Sequence, residues 1–170
     1  MKKMKRLVAV LLVGIMALAM LTACGVTPSA PPMRETALER DVAQWTVELG
    51  QSNGLTLTVD SELTKISNSC LPVAVKVVDA RLAFPRDWNV YNNALNEQKT
   101  FFAEAKKGKT AALVPVDFPS EEEVTKKTLA NRMDDIQYKL NEDGVKNPTK
   151  FGVTVTKQKG YTLLLFVVSE

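Results

Sequence analysis

The last twenty residues constrain the fold more than any other part of the chain. Residues 151–156 alternate between apolar and small or polar side chains, and residues 163–168 are apolar without a break. An alternating strand needs cover on one face, whereas a strand that is apolar throughout needs cover on both faces. Gln158-Lys159-Gly160 separates the two runs and is typical of a hairpin turn. The C-terminus therefore predicts a β-hairpin whose last strand lies between two helical layers.

Helical periodicity dominates the first half of the chain. Apolar residues recur at intervals of three and four over residues 38–49, 63–84 and 88–102, which predicts three amphipathic helices. Asp60 is the predicted N-cap of the second helix. Pro72 predicts that this helix is kinked or divided, because proline removes a helical hydrogen bond. Helices early and strands late predict an α/β fold, a three-layer α/β/α sandwich.

Glycine and proline predict where several elements end. Gly50 fits a left-handed residue that ends the first helix. Ser120-Glu121-Glu122-Glu123 has the form of a capping box and predicts a helix from there to Gly144. Pro115 lies in the apolar run 111–116 and predicts a strand at the edge of a sheet or near its own end, since proline has no N–H for a central ladder.

The N-terminus has the pattern of an export signal. Four basic residues within residues 1–6 precede an uncharged apolar run over residues 7–20, which is too short to span a membrane. Leu21-Thr22-Ala23-Cys24 resembles the lipobox of bacterial lipoproteins. The resemblance implies that residues 1–23 are a lipoprotein signal peptide and that the Cys24 thiol receives a diacylglycerol. The protein is then expected at the cell membrane, facing outside the cytoplasm. The alternative is a plain signal peptide, or an N-terminal membrane anchor, with a chance cysteine.

The segment after the lipobox predicts a tether and then one globular domain. Residues 24–33 contain three prolines among small and polar residues, as extended linkers do. The domain is expected over residues 34–170. With Cys24 acylated, Cys70 has no partner for a disulfide. Its place on an apolar helical stripe favours a small buried side chain over a reactive thiol.

Charge and composition exclude several functional classes. The 170 residues carry a net charge of +3, but removing the four basic residues of the signal leaves 18 basic against 19 acidic residues. Such a domain has no basic field to attract nucleic acid. It also has no histidine, the commonest general base and metal ligand. We therefore expect no metal site and no cofactor, and we assign no catalytic residue.

Short segments at both ends of the predicted domain resemble a known family. Residues 41–49, Ser52-Asn53-Gly54-Leu55-Thr56-Leu57 and Asp60-Ser61-Glu62-Leu63 are similar to the opening of bacterial CAP domains (the cysteine-rich secretory, antigen and pathogenesis-related superfamily). Residues 151–155 and 161–166 look like the final hairpin of that family. The resemblance implies an α/β/α sandwich with a central cleft, which in the family commonly holds two histidines and two acidic residues and in some members binds zinc.

The chain departs from that family where the cleft chemistry would lie. The family's His-Arg pair on the last helix would fall near Asn131-Arg132, and asparagine does not replace imidazole as a base or zinc ligand. A cleft built from Asn131, Arg132 and the nearby Asp135 would recognise a ligand by hydrogen bonds and shape. Asp135 also fits a solvated helix face. Trp88 and Tyr91, at helical spacing, fit the core better than a ligand groove.

These observations leave three hypotheses for the function. The first is a membrane-anchored lipoprotein whose non-catalytic domain binds an envelope protein, a cell-wall polymer or a lipid. The second is a metal-independent hydrolase that uses carboxylates, or serine with lysine, in the same cleft. The third is a structural accessory subunit of an envelope machine.

Overall fold

The computed structural model describes residues 32–170, which hold five helices and four strands. The helices are α1 (Thr36–Ser52), α2 (Ser61–Leu82), α3 (Trp88–Ala105), α4 (Lys126–Ala130) and α5 (Met133–Glu142). The strands are β1 (Thr58–Val59), β2 (Ala111–Pro119), β3 (Lys150–Gln158) and β4 (Tyr161–Ser169). The predicted signal peptide over residues 1–23, the lipobox cysteine and the tether up to residue 31 lie outside the described residues. None of the helices within residues 32–170 is long and apolar enough to cross a membrane.

The four strands form one mixed sheet in the order β1-β3-β4-β2. β1 runs parallel to β3, and the other two pairs are antiparallel. β3 and β4 form the predicted hairpin, in which Gln158 pairs with Tyr161 across a two-residue turn. The second turn residue, Gly160, has a φ of +97°, a conformation that favours glycine. Pro115 lies on β2 at the edge of the sheet, so the predicted edge position is confirmed.

Buried side chains on the two faces of β4 hold the sheet between two helical layers. Leu164 and Phe166 belong to a core cluster with residues of α1, α4 and α5. Leu163 and Leu165 belong to a second cluster with residues of α2, which α3 covers. Every residue of β4 is buried. The predicted α/β fold, with helices early and a C-terminal hairpin, is therefore confirmed.

The polar face of β3 lies against α2 at very close range. A Cβ atom on Gly152 would lie 2.0 Å from the backbone nitrogen of Thr64, so only glycine fits there. The Thr154 and Ser67 hydroxyl oxygens are 2.6 Å apart, and the Ser67 hydroxyl also donates to the carbonyl of Leu165 at 2.6 Å. These buried hydroxyl groups satisfy one another, which lets a polar strand face lie in the interior.

The prediction that Gly50 ends the first helix is wrong. α1 continues to Ser52, and Gly50 is buried inside its last turn. A Cβ atom on Gly50 would lie 2.8 Å from Cδ1 of Leu57, so the glycine permits close packing of the following segment. The left-handed residue is Gly54, with a φ of +76°.

The expected division of the second helix at Pro72 is also wrong. α2 runs without a break from Ser61 to Leu82 with Pro72 inside it. Pro72 and Asn68 are both exposed, so water can reach the Asn68 carbonyl that loses its helical partner. The predicted N-cap is confirmed, because the Asp60 carboxylate accepts hydrogen bonds from the backbone N–H groups of Glu62 and Leu63 at 2.8 and 3.0 Å.

The predicted capping box at Ser120-Glu121-Glu122-Glu123 does not begin a helix. These residues form a turn after β2, and α4 begins later at Lys126. Thr125 and Thr128 make the capping box instead: the Thr128 N–H donates to the Thr125 hydroxyl at 3.2 Å, and the Thr125 N–H donates to the Thr128 hydroxyl at 2.9 Å. The predicted single helix is two, α4 and α5, and Gly144, with a φ of +82°, follows α5 as expected.

Cys70 is fully buried in the cluster between α2 and the sheet, so its predicted place in the core is confirmed. Burial raises the pKa of its thiol above the ordinary value, which disfavours the nucleophilic thiolate. Residues Pro32–Glu170 form one compact unit.

Candidate functional site

A groove follows the outer edge of β2. In the described sheet this strand pairs with β4 alone, and α3 and α5 flank its free edge from opposite faces. Two adjoining cavities, of about 330 and about 490 Å³, open along this edge. Both cavities are lined by Arg81, Pro115, Asp117 and Lys139. We call the two cavities together the β2 groove.

The smaller cavity has an apolar wall and a polar mouth. Its wall is made by aliphatic and aromatic side chains of α2, α3 and β2, among them Val78, Leu95, Phe102 and Leu113. Three longer polar side chains line the same space: Gln98 and Lys99 of α3, and Lys106, which is the C-cap of that helix. An apolar wall with a few converging polar groups is typical of small-molecule and side-chain binding sites.

Gln98 is the most unusual residue of the groove. Its side chain lines the smaller cavity, only 6% of the residue is exposed, and its Nε2 atom has no hydrogen-bond partner among the described residues. A buried donor without a partner is unfavourable by about 1–3 kcal/mol. An acceptor oxygen brought into the cavity by a ligand would remove that cost.

Two of the three acidic side chains that line the groove, Asp117 and Asp143, are held in ion pairs, whereas Asp135 is in none among the described residues. Arg81 Nη2 lies 2.6 Å from Oδ2 of Asp117, and Lys139 Nζ lies 3.2 Å from Oδ1 of Asp143. Burial lowers the pKa of Lys139, but hydrogen bonds to Glu142 and Asp143 outweigh this and keep its pKa above the ordinary value.

Two lysines at the mouth of the smaller cavity differ from these pairs. Within residues 32–170, no acidic oxygen lies within 4.0 Å of Lys99 or Lys106. Lys106 Nζ lies 5.5 Å from the centre of the Phe102 ring. Lys99 and Lys106 therefore add two positive charges without acidic partners to the cavity that Gln98 also lines.

The larger cavity contains two of the three binding residues that the sequence predicts. Arg132 and Asp135 line it, together with Arg81 and Tyr138. Arg132 is the N-cap of α5, and its Nη2 atom donates to the Glu122 carboxylate at 3.2 Å. Its guanidinium also lies 5.5 Å from the centre of the Phe118 ring, which fixes its direction.

Asn131 takes a different place from the other two predicted binding residues. It is the exposed C-cap of α4 and is not among the residues that line the groove. The structure thus brings Arg132 and Asp135 to one cavity and leaves Asn131 outside it. The cause is the break between α4 and α5, which the prediction of one continuous helix did not include.

Sequence reasoning missed the residues of the smaller cavity, although the pattern contains a signal for Gln98. The apolar stripe of α3 runs through Tyr91, Leu95 and Phe102, and Gln98 lies on the same stripe, three residues after Leu95 and four before Phe102. A polar residue at a core position of an amphipathic helix either finds a partner or serves a ligand.

Two further expectations concern aromatic residues and metals. Trp88 is 60% exposed, so its predicted place in the core is wrong, and Tyr91 is half-buried and lines the smaller cavity. Between residues 32 and 170, no group of three or more histidine, cysteine, aspartate or glutamate side chains is arranged to hold a metal ion.

Comparisons with known proteins gave no match of any kind. No family model, no curated protein and no solved structure matches the chain. The resemblance of its opening and closing segments to CAP domains therefore remains a prediction. The candidate site depends only on the geometry of the β2 groove.

Proposed function

We propose that this protein is a membrane-anchored lipoprotein of the cell surface whose domain binds an envelope or extracellular partner in the β2 groove. The observation that carries the binding role is the buried side chain of Gln98, which lines the smaller cavity and whose Nε2 atom has no hydrogen-bond partner among the described residues. The lipobox that ends at Cys24 supports the anchor. A lipid with two long acyl chains binds a membrane firmly, since each buried CH₂ contributes about 0.8 kcal/mol.

The groove favours a ligand group that carries an acceptor oxygen and a negative charge. The Gln98 amide would donate to that oxygen, and Lys99 and Lys106 would attract the charge. Tyr91 and Phe102 would pack against an apolar part of the same ligand. A carboxylate on a partner protein, on a cell-wall polymer or on a lipid has this chemistry.

The side chains of the groove support recognition over hydrolysis. Asp117 and Asp143 are held by Arg81 and Lys139, so neither of these two carboxylates is free to act as a base, and Asp135 is the one unpaired carboxylate among the described lining residues. Among the described residues that line either cavity there is no serine, threonine or cysteine to act as a nucleophile.

Replacement of Cys24 tests the anchor. Cells are grown with a fatty-acid analogue, and label on the protein is compared between the wild type, Cys24→Ala and the control Cys70→Ala. We expect label on the wild type and on Cys70→Ala, because Cys70 is buried in the folded domain. The Cys24→Ala chain should lose the label and leave the membrane fraction. Label that persists on Cys24→Ala would contradict the anchor.

A photo-crosslinking amino acid in the groove tests the binding role. It is placed at Lys99, at the mouth of the smaller cavity, or at the control position Asp41, which is exposed on α1. We expect cross-linked adducts in intact cells from position 99 and few from position 41. The adducts should disappear when Gln98→Leu is added. Equal yields of adducts from both positions would contradict a binding site in the groove, as would a yield from position 99 that Gln98→Leu does not lower.

A further inference from the structure

The turn between α2 and α3 exposes three large apolar side chains. Leu82 is 52% exposed, Phe84 is 99% exposed and Trp88 is 60% exposed. We call these three residues the aromatic tip. Single exposed apolar residues are common on protein surfaces, but three around one turn mark an interaction site.

The aromatic tip lies at the hairpin end of the sheet. α2 begins beside the first residues of β3, where the Asp60 N–H donates to the carbonyl of Phe151 at 2.7 Å. It ends beside the start of β4, where the Tyr161 hydroxyl donates to the Asp79 carboxylate at 2.7 Å. Because Tyr161 directly follows the hairpin turn, α2 ends and the aromatic tip begins near that turn.

The N-terminal segment enters the domain at the same end. Arg34 pairs with Thr156 in an antiparallel bridge, and the Thr156 hydroxyl donates to the carbonyl of Met33 at 2.8 Å. β3 runs toward the hairpin turn, so the segment before Arg34 runs beside it in the opposite sense and approaches from that turn. The described chain therefore begins at the end of the sheet that carries the aromatic tip.

The length of the connecting segment limits how far that end can be from a membrane. Eight residues, 24–31, separate the predicted lipid from Pro32. Even a fully extended chain of this length spans no more than about 30 Å. This is about the length of one strand of the sheet, so the hairpin end must stay close to any bilayer that holds the lipid.

We propose that the aromatic tip inserts into the membrane interface beside the lipid anchor. This inference rests on the proposed anchoring at Cys24. Tryptophan and phenylalanine are favoured at the boundary between lipid head groups and acyl chains. The Arg86 guanidinium lies 5.0 Å from the centre of the Trp88 ring, and its Nε donates to the carbonyl of Arg81 at 2.8 Å, which places a positive charge for a lipid phosphate beside the ring. Attachment through the lipid makes this contact intramolecular, which raises its effective concentration.

Charge at this end of the domain favours insertion of apolar side chains over attraction to anionic lipid. The acidic turn Glu121-Glu122-Glu123 follows β2 at the same end, where the Ser120 N–H donates to the carbonyl of Gly160 at 3.1 Å. Lys157 and Lys159 lie on the hairpin beside it and offset part of that charge. Contact is therefore expected on zwitterionic membranes as well as on anionic ones.

Quenching of tryptophan emission by brominated lipids tests whether the aromatic tip enters the membrane, because the chain has two tryptophans and only Trp88 lies in the tip. The full lipidated protein is reconstituted in phosphatidylcholine vesicles with brominated acyl chains, as Trp45→Phe, which retains Trp88, and as Trp88→Phe, which retains Trp45. Trp45 is partly buried on α1 and packs against the core. We expect the emission of Trp88 to be quenched at least twofold relative to vesicles without bromine, and that of Trp45 to be unchanged.

A charged substitution in the aromatic tip provides a second test in the same quenching experiment. In the Trp45→Phe background, Phe84→Asp should remove most of the quenching of Trp88, because it places a carboxylate at the most exposed position. Tyr138→Asp, at an aromatic residue of α5 that is 72% exposed, is the matched control and should leave the quenching unchanged.

The outcomes separate this inference from the proposed anchor. Unquenched Trp88 in a labelled, vesicle-bound chain would overturn the insertion and indicate a protein as the partner of the tip. Equal quenching of Trp45 and Trp88 would also overturn it, because the domain would then lie on the membrane without a preferred end. A chain that carries no lipid label would overturn the anchor and this inference together.

Discussion

The two edges of the sheet differ in how they are covered. At the β3 edge, β1 pairs with the first residues of the strand, and the N-terminal segment covers a later part. There the Glu35 N–H donates to the carbonyl of Val155 at 2.8 Å, and the Val155 N–H donates to the Glu39 carboxylate at 3.0 Å. Arg34 holds that carboxylate in turn, at 2.9 Å from Nε to Oε1. Backbone groups on this edge are thus paired by the chain itself.

The β2 edge has no such cover in the described part of the chain. Pro115 removes one backbone donor from it, and Arg81, Asp117 and Lys139 surround it with charge. Proline and charge are the usual means by which a free edge avoids pairing with other chains. We infer that the β3 edge serves stability and the β2 edge serves binding. Substitutions at the two edges should therefore differ in which property they change.

Phe166→Ala, on the strand between the two edges, should have the largest effect on stability. The ring is 2% exposed and packs against Phe151, at 6.4 Å between ring centres. Its removal should lower the free energy of unfolding by about 3–5 kcal/mol, measured by denaturant unfolding. Phe84→Ala removes the same atoms from a fully exposed position and should change it little. Equal midpoints for the two variants would show that β4 is not the centre of the core.

Glu39→Ala tests the covered edge. It leaves the Val155 N–H and the Arg34 guanidinium without their acceptor, so we expect a loss of about 1–3 kcal/mol in the free energy of unfolding. Glu39→Gln retains an acceptor oxygen and should lose less. Cross-linking from position 99 in the β2 groove should not change in either variant. A stability equal to that of the wild type would mean that the β3 edge does not need its cover.

The sheet and its central strand could be predicted because the pattern of apolar residues in the last strand is compatible with only one arrangement. An apolar run that exposes no polar face must be covered on both sides, and the structure divides Leu163 and Leu164 between the two core clusters. Asp60 could be predicted as a cap because its carboxylate bonds only to the next residues of the chain. Local chemistry was sufficient in these cases.

Other features depend on contacts that sequence periodicity does not contain. Gly50 was predicted to end a helix, but Leu57 packs against it, and Pro72 is tolerated because the rest of α2 is held on the sheet. The acidic turn at residues 120–123 has the residue types of a capping box, but the Ser120 N–H donates to the carbonyl of Gly160 at 3.1 Å and the Glu122 N–H to that of Pro119 at 2.9 Å, which holds the segment as a turn. In each case tertiary packing outweighs the local preference.

Asp60→Ala tests the start of α2, directly after β1 closes the covered edge. The hydrogen bond from the Leu63 N–H lowers the pKa of Asp60 below its ordinary value, so the ionised cap stabilises the fold. Its removal should lower the free energy of unfolding by about 0.5–2 kcal/mol near pH 7.

The effect of Asp60→Ala should depend on pH in one direction. The stabilisation is complete above the ordinary aspartate pKa of about 3.9 and is lost as the pH falls through the lowered pKa of the folded protein. Denaturant unfolding from pH 7 downward should therefore show the wild type and Asp60→Ala converging in acid. Asp60→Asn, which retains an acceptor without the charge, should change less with pH. A difference that stays constant into strong acid would contradict this account of the cap.

Gln98→Leu tests the open edge and should have the smallest effect on stability. The substitution removes the unpartnered Nε2 donor and places an apolar side chain of similar size against Leu95 and Phe102. The free energy of unfolding should stay the same or rise by up to about 1 kcal/mol, because removal of an unpaired buried polar group relieves its desolvation cost. Binding in the groove, measured by cross-linking from position 99, should be lost. A clear loss of stability would mean that the Gln98 amide stabilises the fold. Because the assignment of binding to the β2 edge depends most on Gln98, that result would contradict the distinction between a stabilising edge and a binding edge.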